Sequence, residues 1–394
     1  RICSAFLSVM FPVSILLSSI TVYAADQAVG NTYYVDSVEG NDNNRGDSPA
    51  AAWKTLDKVN SETFGPGDKI LFKADGEWEG NLKPKGSGTG DAPVIIDAYG
   101  NGKKPKISAN GLYEAAVTLE NIEYWEVNHL EITNLGPEQA KSRFGVVIRA
   151  KDFGVMRHIY VRNLYVHDIN GWLPKLDREE GCGIYFESRG TIESKFDDIR
   201  IEQNYLKDVD RNGIAQYYDF GYHRWDSDEQ EPTEKSYRSE NVVVRGNILE
   251  NIGGDGIKIW GSDGALVERN VIRGAQMRST SASAGIWPFD SNNTLIQFNE
   301  VSGLHGNLDG QAFDADFYTT NTIFQYNYSH DNAGGFIFLV NADGNGKVDV
   351  RYNISQNDGW KLITIGGSKG NINAHIYNNT IYYTDNRQMK NQYI

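Results

Sequence analysis

The sequence predicts an all-β fold in which short strands stack into a single-stranded parallel β-helix. Its 394 residues include 41 glycines and 22 tyrosines, a composition typical of many short strands joined by turns. Short runs of the form apolar-x-apolar that end in asparagine recur along the chain. Their apolar spacing is two rather than 3.6, which excludes a helical solenoid.

The asparagines that end these runs mark one turn of each predicted coil. They are Asn163, Asn204, Asn247, Asn270, Asn299, Asn327, Asn353 and Asn378. Asparagine tolerates the left-handed conformation and can bond to its neighbour one coil away. The spacing suits a coil of two or three strands, and the two longest intervals predict inserted loops at residues 172–181 and 217–239. A β-propeller is the main alternative, but no blade-like hairpin pattern recurs.

The first residues predict export. Residues 5–22 are apolar and uncharged, and a small-x-small pattern ends at Ala24. We therefore predict a signal peptide over residues 1–24 and a secreted, periplasmic or cell-surface protein without a membrane segment after cleavage. The alternative is a membrane anchor. After cleavage Cys182 is the one remaining cysteine, so no intrachain disulfide is expected.

Residues 25–75 predict a small N-terminal cap, since a solenoid exposes an apolar end that must be covered. Strand patterns lie at residues 31–36 and 69–73, and residues 53–60 have helical spacing. Residues 76–394 carry the coils. No C-terminal cap follows the last apolar run, so we expect the β-helix to be truncated at this end.

Three stretches of the opening carry a family resemblance. They are YYVDSVEGNDNNRGDSPAAAWKTLDKVN (33–60), PGDKILF (66–72) and APVIIDAYG (92–100). This opening resembles that of secreted right-handed parallel β-helix proteins of the pectate-lyase-like superfamily. The resemblance implies a right-handed β-helix and activity on polysaccharides.

The charge narrows the choice of partner. The formal net charge is −14, so the chain offers no basic face for the phosphates of a nucleic acid. We expect a polysaccharide or oligosaccharide partner and a monomeric protein.

Each predicted coil also carries a strand after a glycine-rich turn, and its side chains alternate between two faces. Placing Ile257, Ile286 and Phe313 inside turns a row of other side chains outward. This outer row comprises Arg149, Tyr185, Glu187, Lys258, Trp260, Trp287, Phe289, Asp314 and Asp316. An exposed row of tryptophans is costly unless it is covered or binds a ligand, and sugar rings stack on tryptophan faces.

We therefore predict that the outer row binds sugar. The predicted binding residues are Trp287, Trp260, Glu187, Arg149 and Asp309, with His223, Arg224 and Trp225 of the long loop. The outward direction of Asp314 requires one irregularity in the spacing of the repeat. The same interval back from the ladder asparagines reaches Ile286 in one coil but Asp314 in the next, which predicts a one-residue bulge.

The acids of this row favour a glycoside hydrolase. Hydrolysis of a glycosidic bond needs one protonated carboxyl and one ionised carboxylate, and crowded acids split their pKa values in that direction. The predicted acid/base set is Asp314, Asp316 and Asp290, and this reaction requires no cofactor. The fold resembles that of the polygalacturonases, but their diagnostic strings are absent, so no residue is carried over from them.

Two alternatives remain open. The first is a uronate lyase in which Lys258 is the base and Ca²⁺ is bound by Asp309, Asp314 and Asp316; Lys258 would otherwise pair with Glu187 or Asp314. The second is a non-catalytic glycan-binding or adhesin β-helix. In both, the same outer face meets the glycan.

Overall fold

The computed structural model describes residues 30–175, 180–220, 237–306, 308–341, 346–359, 361–367 and 373–384. Within these residues, three long sheets of parallel strands run side by side along the molecule. From Val94 to Gly367 the coils contribute strands to the three sheets in turn, which is the architecture of the predicted parallel β-helix.

Sheet 1 has thirteen strands in the described part of the chain. They are Thr32–Val35, Lys69–Lys73, Val94–Tyr99, Trp125–Asn128, Val155–Arg162, Lys195–Glu202, Ser239–Arg245, Ser262–Asp263, Leu266–Glu268, Leu295–Gln297, Thr322–Gln325, Lys347–Arg351 and Asn373–Tyr377.

Sheet 2 has eleven strands among the described residues. They are Glu77–Glu79, Lys106–Ser108, Glu131–Asn134, Tyr165–Ile169, Tyr205–Val209, Ile248–Ile252, Val271–Arg273, Glu300–Ser302, Tyr328–His330, Ile354–Gln356 and Thr380–Tyr382.

Sheet 3 has nine strands in the same described ranges and carries the predicted outer row. They are Ala115–Glu120, Phe144–Lys151, Cys182–Arg189, Asn212–Tyr218, Ile257–Trp260, Ile286–Phe289, Gln311–Ala315, Gly335–Asn341 and Ile363–Gly367. Two further short strands, Thr63–Phe64 and Lys85–Gly86, pair with each other beside the cap.

The core fills the space that the three sheets enclose. In sheet 3, Ile257 pairs with Ile286, which pairs with Phe313, which pairs with Ile337. All four side chains are fully buried in this core. Matching positions on neighbouring coils lie ~4.8 Å apart, so each sheet is a stack of like side chains along the axis of the β-helix.

An asparagine ladder runs along one turn of the β-helix, and its ends differ from the prediction. Each buried ladder asparagine donates to the side-chain oxygen of the next one, as Asn299 does to Asn327 at 3.0 Å. The ladder runs through Asn204, Asn247, Asn270, Asn299, Asn327, Asn353 and Asn379. The predicted Asn163 and Asn378 lie one residue earlier, at the left-handed position of the turn, where their φ angles are 55° and 54°.

The cap is partly built into sheet 1. Strand Thr32–Val35 pairs with Lys69–Lys73, so the pairing begins inside residues 25–75. The predicted helix forms at Leu56–Ser61, where the Thr55 side chain accepts the backbone N–H of Lys58; a 3₁₀ turn covers Pro49–Ala51. Within the described ranges, no helix has the length and apolar character to cross a membrane, and residues 1–24 lie outside those ranges.

Candidate active site

The outer row of sheet 3 points away from the core as predicted, but it is not exposed. Trp260 and Trp287 are only 6% and 4% exposed, and Lys258 is 2% exposed. Outward aromatic and small residues form a second apolar layer, which we name the outer-face cluster. Its buried members are Ala115, Phe144, Val147, Cys182, Tyr185, Ala215, Tyr217, Tyr218, Trp260, Ala284, Trp287 and Phe289. Alternation along a strand thus predicts the direction of these side chains, but it does not report what covers the outer face.

Asp314 faces outward without a bulge inside its strand. Phe313 pairs with Ile286 and is fully buried in the core, which turns the neighbouring Asp314 to the other face. The register has already shifted by one residue where the Asp290 N–H donates to the Phe317 carbonyl, and it keeps that shift at the bridge between Asn292 and Thr320. Since Phe313 and Ala315 are both in the core, the extra residue predicted from the spacing is accommodated between Ala315 and Phe317.

A pocket of about 160 Å³ opens at the outer face where the strands Ile286–Phe289 and Gln311–Ala315 meet. Its lining combines acids, one lysine and aromatic rings. It comprises Lys175, Asp255, Ala282, Ser283, Ala284, Trp287, Asp309, Asp314, Asp316, Phe317, Phe338, Val340 and Gly367. The structure thus brings together Trp287, Asp309, Asp314 and Asp316 from the predicted set.

Asp314 is the most deeply buried of the three clustered acids. Its Oδ1 atom is buried and has no hydrogen-bond partner among the described residues. Burial raises the pKa of Asp314 well above its usual range, and the negative charges of Asp316 and Asp309 raise it further. The nearby Lys175 ammonium acts in the opposite direction. Asp314 therefore retains a proton at pH values where an ordinary aspartate is ionised.

Asp316 and Asp309 stand on either side of Asp314 in the chain, in different environments. Asp316 is buried, and its Oδ1 accepts the backbone N–H of Phe317 at 2.8 Å. Asp309 is half-buried in the turn before the strand and has a φ of 60°. The pocket therefore offers a proton-bearing carboxyl together with two further carboxyl groups.

One wall of the pocket is the Trp287 ring, which is held from behind and faced by a cation. Its Nε1 donates to Asp255 Oδ1 at 3.0 Å, and Asp255 pairs with Arg211, both fully buried. The Lys175 ammonium lies 4.9 Å from the centroid of a Trp287 ring and donates to the carbonyl of Ala282 at 3.4 Å. Lys175 is thus placed to meet a ligand stacked on Trp287.

Arg149 and Glu187 lie outside the pocket lining and pair with each other. Arg149 also pairs with Glu114 at 2.7 Å and Glu120 at 3.3 Å. Tyr185 donates its hydroxyl to Glu187 at 3.0 Å. Arg149 and Glu187, two charged members of the outer row, therefore belong to a buried network of ion pairs.

Lys258 pairs with neither of the predicted carboxylates, Glu187 or Asp314, but lies among aromatic rings. Its ammonium is 3.6 Å from the centroid of Tyr217, 5.2 Å from a Trp260 ring and 5.3 Å from a Trp287 ring. Burial lowers the pKa of Lys258 to about 8, although the charge of Glu180 opposes this shift. Lys258 does not line the pocket and supports Trp287 from the side.

Asp290 pairs with Arg238, which also donates to the Asp290 carbonyl at 3.0 Å. Trp260 lies in the outer-face cluster, with its ring centroid 4.9 Å from that of Phe289. Neither residue lines the pocket. The predicted His223, Arg224 and Trp225 lie outside the described residues.

Asp290→Ala is expected to reduce stability and to leave the chemistry of the pocket largely intact. The substitution strands a partly buried Arg238 guanidinium, and breaking a buried ion pair costs about 3–5 kcal/mol. Thermal unfolding should show a lowered melting temperature, while kcat measured well below that temperature stays near the wild-type value. Loss of kcat without loss of stability would return Asp290 to the catalytic set.

A family model and a solved structure indicate the fold of the chain. A family model described as "Right handed beta helix region" matches residues 235–381. An alginate lyase from Paenibacillus sp. str. FPU-7 superposes with a TM-score of 0.54 at 17% identity, covering 80% of this chain and 97% of that one. The chain has the right-handed parallel β-helix fold.

This β-helix is more similar in sequence to two lacto-N-biosidases. It is 31% identical to the lacto-N-biosidase of Bifidobacterium longum subsp. longum over 93% of this chain. The chain spans 28% of the length of that curated relative. A GH136 lacto-N-biosidase from Eubacterium ramulus superposes with a TM-score of 0.78 at 28% identity, covering 90% of this chain and 68% of that one.

Three residues that build the site of this β-helix, Asp255, Arg211 and Lys175, were not predicted from the sequence. Asp255 had a signal, since it precedes an outer-row strand in the turn Gly253–Gly256. Arg211 and Lys175 had none, because one lies in a short turn and the other in an inserted loop. Among the described residues, no three His, Cys, Asp or Glu side chains are arranged to hold a metal ion.

Proposed function

We propose that this β-helix is a glycoside hydrolase that cleaves an oligosaccharide in the pocket bounded by Trp287, Asp309, Asp314 and Asp316. The observation that carries the proposal is the grouping of three carboxyl groups beside an indole ring in one pocket. The similarity to lacto-N-biosidases over most of this chain supports the same class of reaction. We further propose release of lacto-N-biose as the specific activity.

The charge of the pocket favours hydrolysis over elimination. The negative charge of Asp255 is offset by Arg211, and Asp314 retains its proton. This leaves the charges of Asp309 and Asp316 facing Lys175, the single cation within the described lining. A uronate carboxylate would enter against this negative charge, whereas a neutral sugar would not. A lyase also needs a base near the sugar, and the proposed base Lys258 lies outside the pocket lining.

The three acids differ in the roles they can take. We assign the base or nucleophile to Asp316, whose negative charge contributes to the raised pKa of Asp314. The acid side of the reaction falls to Asp314 and Asp309. Asp314 holds a proton to raised pH, and Asp309 is the more open of the two toward the ligand. Trp287 supplies an apolar wall of the pocket in which the sugar lies.

The proposal is tested by incubating the full chain with an aryl glycoside of lacto-N-biose and with a uronate polymer. We expect release of the aryl group and of a saturated sugar, unaffected by EDTA. An unsaturated, ultraviolet-absorbing product from the uronate polymer would establish the lyase. Binding of glycans without cleavage of either substrate would establish the non-catalytic alternative.

The predicted signal peptide at residues 1–24 supports action outside the cytoplasm, which secretion of the intact gene product would test.

Asp314→Asn is expected to stabilise the protein at neutral pH while lowering its activity. Folding raises the pKa of Asp314, so the folded chain binds this proton more tightly than the unfolded chain does. Stability is therefore lost as the pH rises above the unfolded value of about 3.9. Asparagine removes that loss, so the melting temperature should exceed that of the wild type at about pH 7 and match it near about pH 3.

The control for this experiment is Asp97→Asn, because Asp97 lies on sheet 1 and bonds to His129 at 2.8 Å, away from the pocket. This variant should show neither the gain in stability nor the loss of activity. A melting temperature of Asp314→Asn below that of the wild type at neutral pH would show that folding does not raise the pKa of Asp314.

A further inference from the structure

Arg211 lies behind the pocket and contacts Asp255 and Ser283, the residues that support two of its walls. Arg211 is fully buried and pairs with Asp255. Its Nη1 donates to the hydroxyls of Ser279 and Ser283, each at 3.0 Å. Arg211 has a φ of 66° in the turn before strand Asn212–Tyr218. A bulky residue in this left-handed region is strained, and such strain persists where the surroundings require it.

The first support leads from Arg211 to the Trp287 ring. Asp255 presents one oxygen to Arg211 and the other, Oδ1, to Trp287 Nε1 at 3.0 Å and the backbone N–H of Ala284 at 2.9 Å. Asp255 is fully buried, so its negative charge depends on the opposing guanidinium. An ionised acceptor fixed at this position holds the plane of the indole ring.

The second support leads from Arg211 to Asp309. Ser283 lines the pocket and forms a parallel bridge with Asp309. The Ser283 carbonyl accepts the backbone N–H of Gly310 at 2.9 Å. By holding the Ser283 hydroxyl, Arg211 fixes the segment against which the Asp309 turn is aligned. The same guanidinium therefore reaches the stacking wall and one of the pocket acids.

We propose that Arg211 is a positioning residue that sets the orientation of Trp287 and the place of Asp309, and that it thereby controls sugar binding in the pocket. Arg211 itself does not line the pocket, so it acts through Asp255 and Ser283. The statement about sugar binding rests on the proposed function, whereas the statement about Trp287 orientation does not.

The effect of Arg211 on the orientation of Trp287 can be tested without an activity assay, by near-ultraviolet circular dichroism. The contribution of Trp287 is the difference between a protein and its Trp287→Phe derivative. Arg211→Lys keeps the positive charge but loses the planar fork that reaches Asp255 and both serines together. We expect this substitution to change the Trp287 contribution by about half or more, as the ring loses its fixed acceptor. An unchanged contribution would overturn the proposal.

Arg143→Lys is the matched control. Arg143 is also buried, and it donates to Asn170 Oδ1 at 2.6 Å and to backbone carbonyls, but it does not line the pocket or contact Asp255. This variant should leave the Trp287 signal unchanged even if it loses stability. Should Arg211→Lys not fold, Asp255→Asn removes the charged acceptor while keeping its shape, and the same change in the signal is required of it.

Kinetics then test the effect on sugar binding. Arg211→Lys should raise KM by about tenfold, the size of a coupling between residues in contact, with a smaller change in kcat. In the Trp287→Phe background this rise in KM should be mostly lost, since the ring through which Arg211 acts is absent. An equal rise in both backgrounds would contradict the route through Trp287. If the wild type cleaves no glycan, the proposed function fails, and the Trp287 signal alone decides the role of Arg211.

Discussion

Asp316→Asn is expected to lower kcat/KM for the aryl glycoside by about 10²- to 10⁴-fold, the range for removal of a group that takes part in proton transfer. Asparagine keeps an oxygen that can accept the Phe317 backbone N–H, so the turn after the strand should retain its shape. What the substitution removes is the negative charge. The loss should therefore appear in kcat at saturating substrate, with KM and the melting temperature changed little.

The matched variants for Asp316→Asn are Asp309→Asn and Asp97→Asn. Asp309 lines the same pocket, so its loss should also lower kcat, whereas Asp97 on sheet 1 should be without effect. Cleavage by Asp316→Asn at the wild-type rate would show that Asp316 takes no part in the reaction.

Asn299→Leu is expected to lower the free energy of unfolding by more than about 3 kcal/mol. The Asn299 side chain is buried and accepts from the backbone N–H and side-chain amide of Asn270, and it donates to the Val267 carbonyl. Leucine leaves these three groups without partners, and each unpaired buried group costs about 1–3 kcal/mol. Chemical and thermal unfolding should both show the loss.

The control for the ladder is Asn43→Ala. Asn43 is exposed in the cap, and the hydrogen bond that the structure gives it is made by its backbone N–H, to Asn41. Its substitution should change the free energy of unfolding by less than about 0.5 kcal/mol. If Asn299→Leu unfolds at the same temperature as the wild type, the ladder contributes no net stability and serves only to set the turn.

The fold was predictable because its main determinants repeat in the sequence. The period-two apolar runs fix which side chains enter the core, and the recurrent asparagine fixes one turn of each coil. The two ends of the ladder were misplaced for a physical reason. Asn163 and Asn378 occupy the left-handed position beside the ladder, where asparagine is also favoured, so residue type alone did not distinguish the two positions.

The site was predictable only in part. The alternation of side chains placed Trp287, Asp314 and Asp316 on one outward face, and the structure confirms that direction. It did not reveal that Arg149 and Glu187 satisfy each other or that Asp290 pairs with Arg238. Such pairings join residues that lie 38 and 52 positions apart in the chain. The spacing of one strand therefore carries no information about them.

The proposed function is tested most directly by product analysis of the wild type and Asp316→Asn on the aryl glycoside of lacto-N-biose, with and without EDTA. We expect a saturated disaccharide from the wild type in both conditions and almost none from the variant. An unsaturated product, a requirement for a divalent cation, or undiminished release by Asp316→Asn would contradict the proposed function.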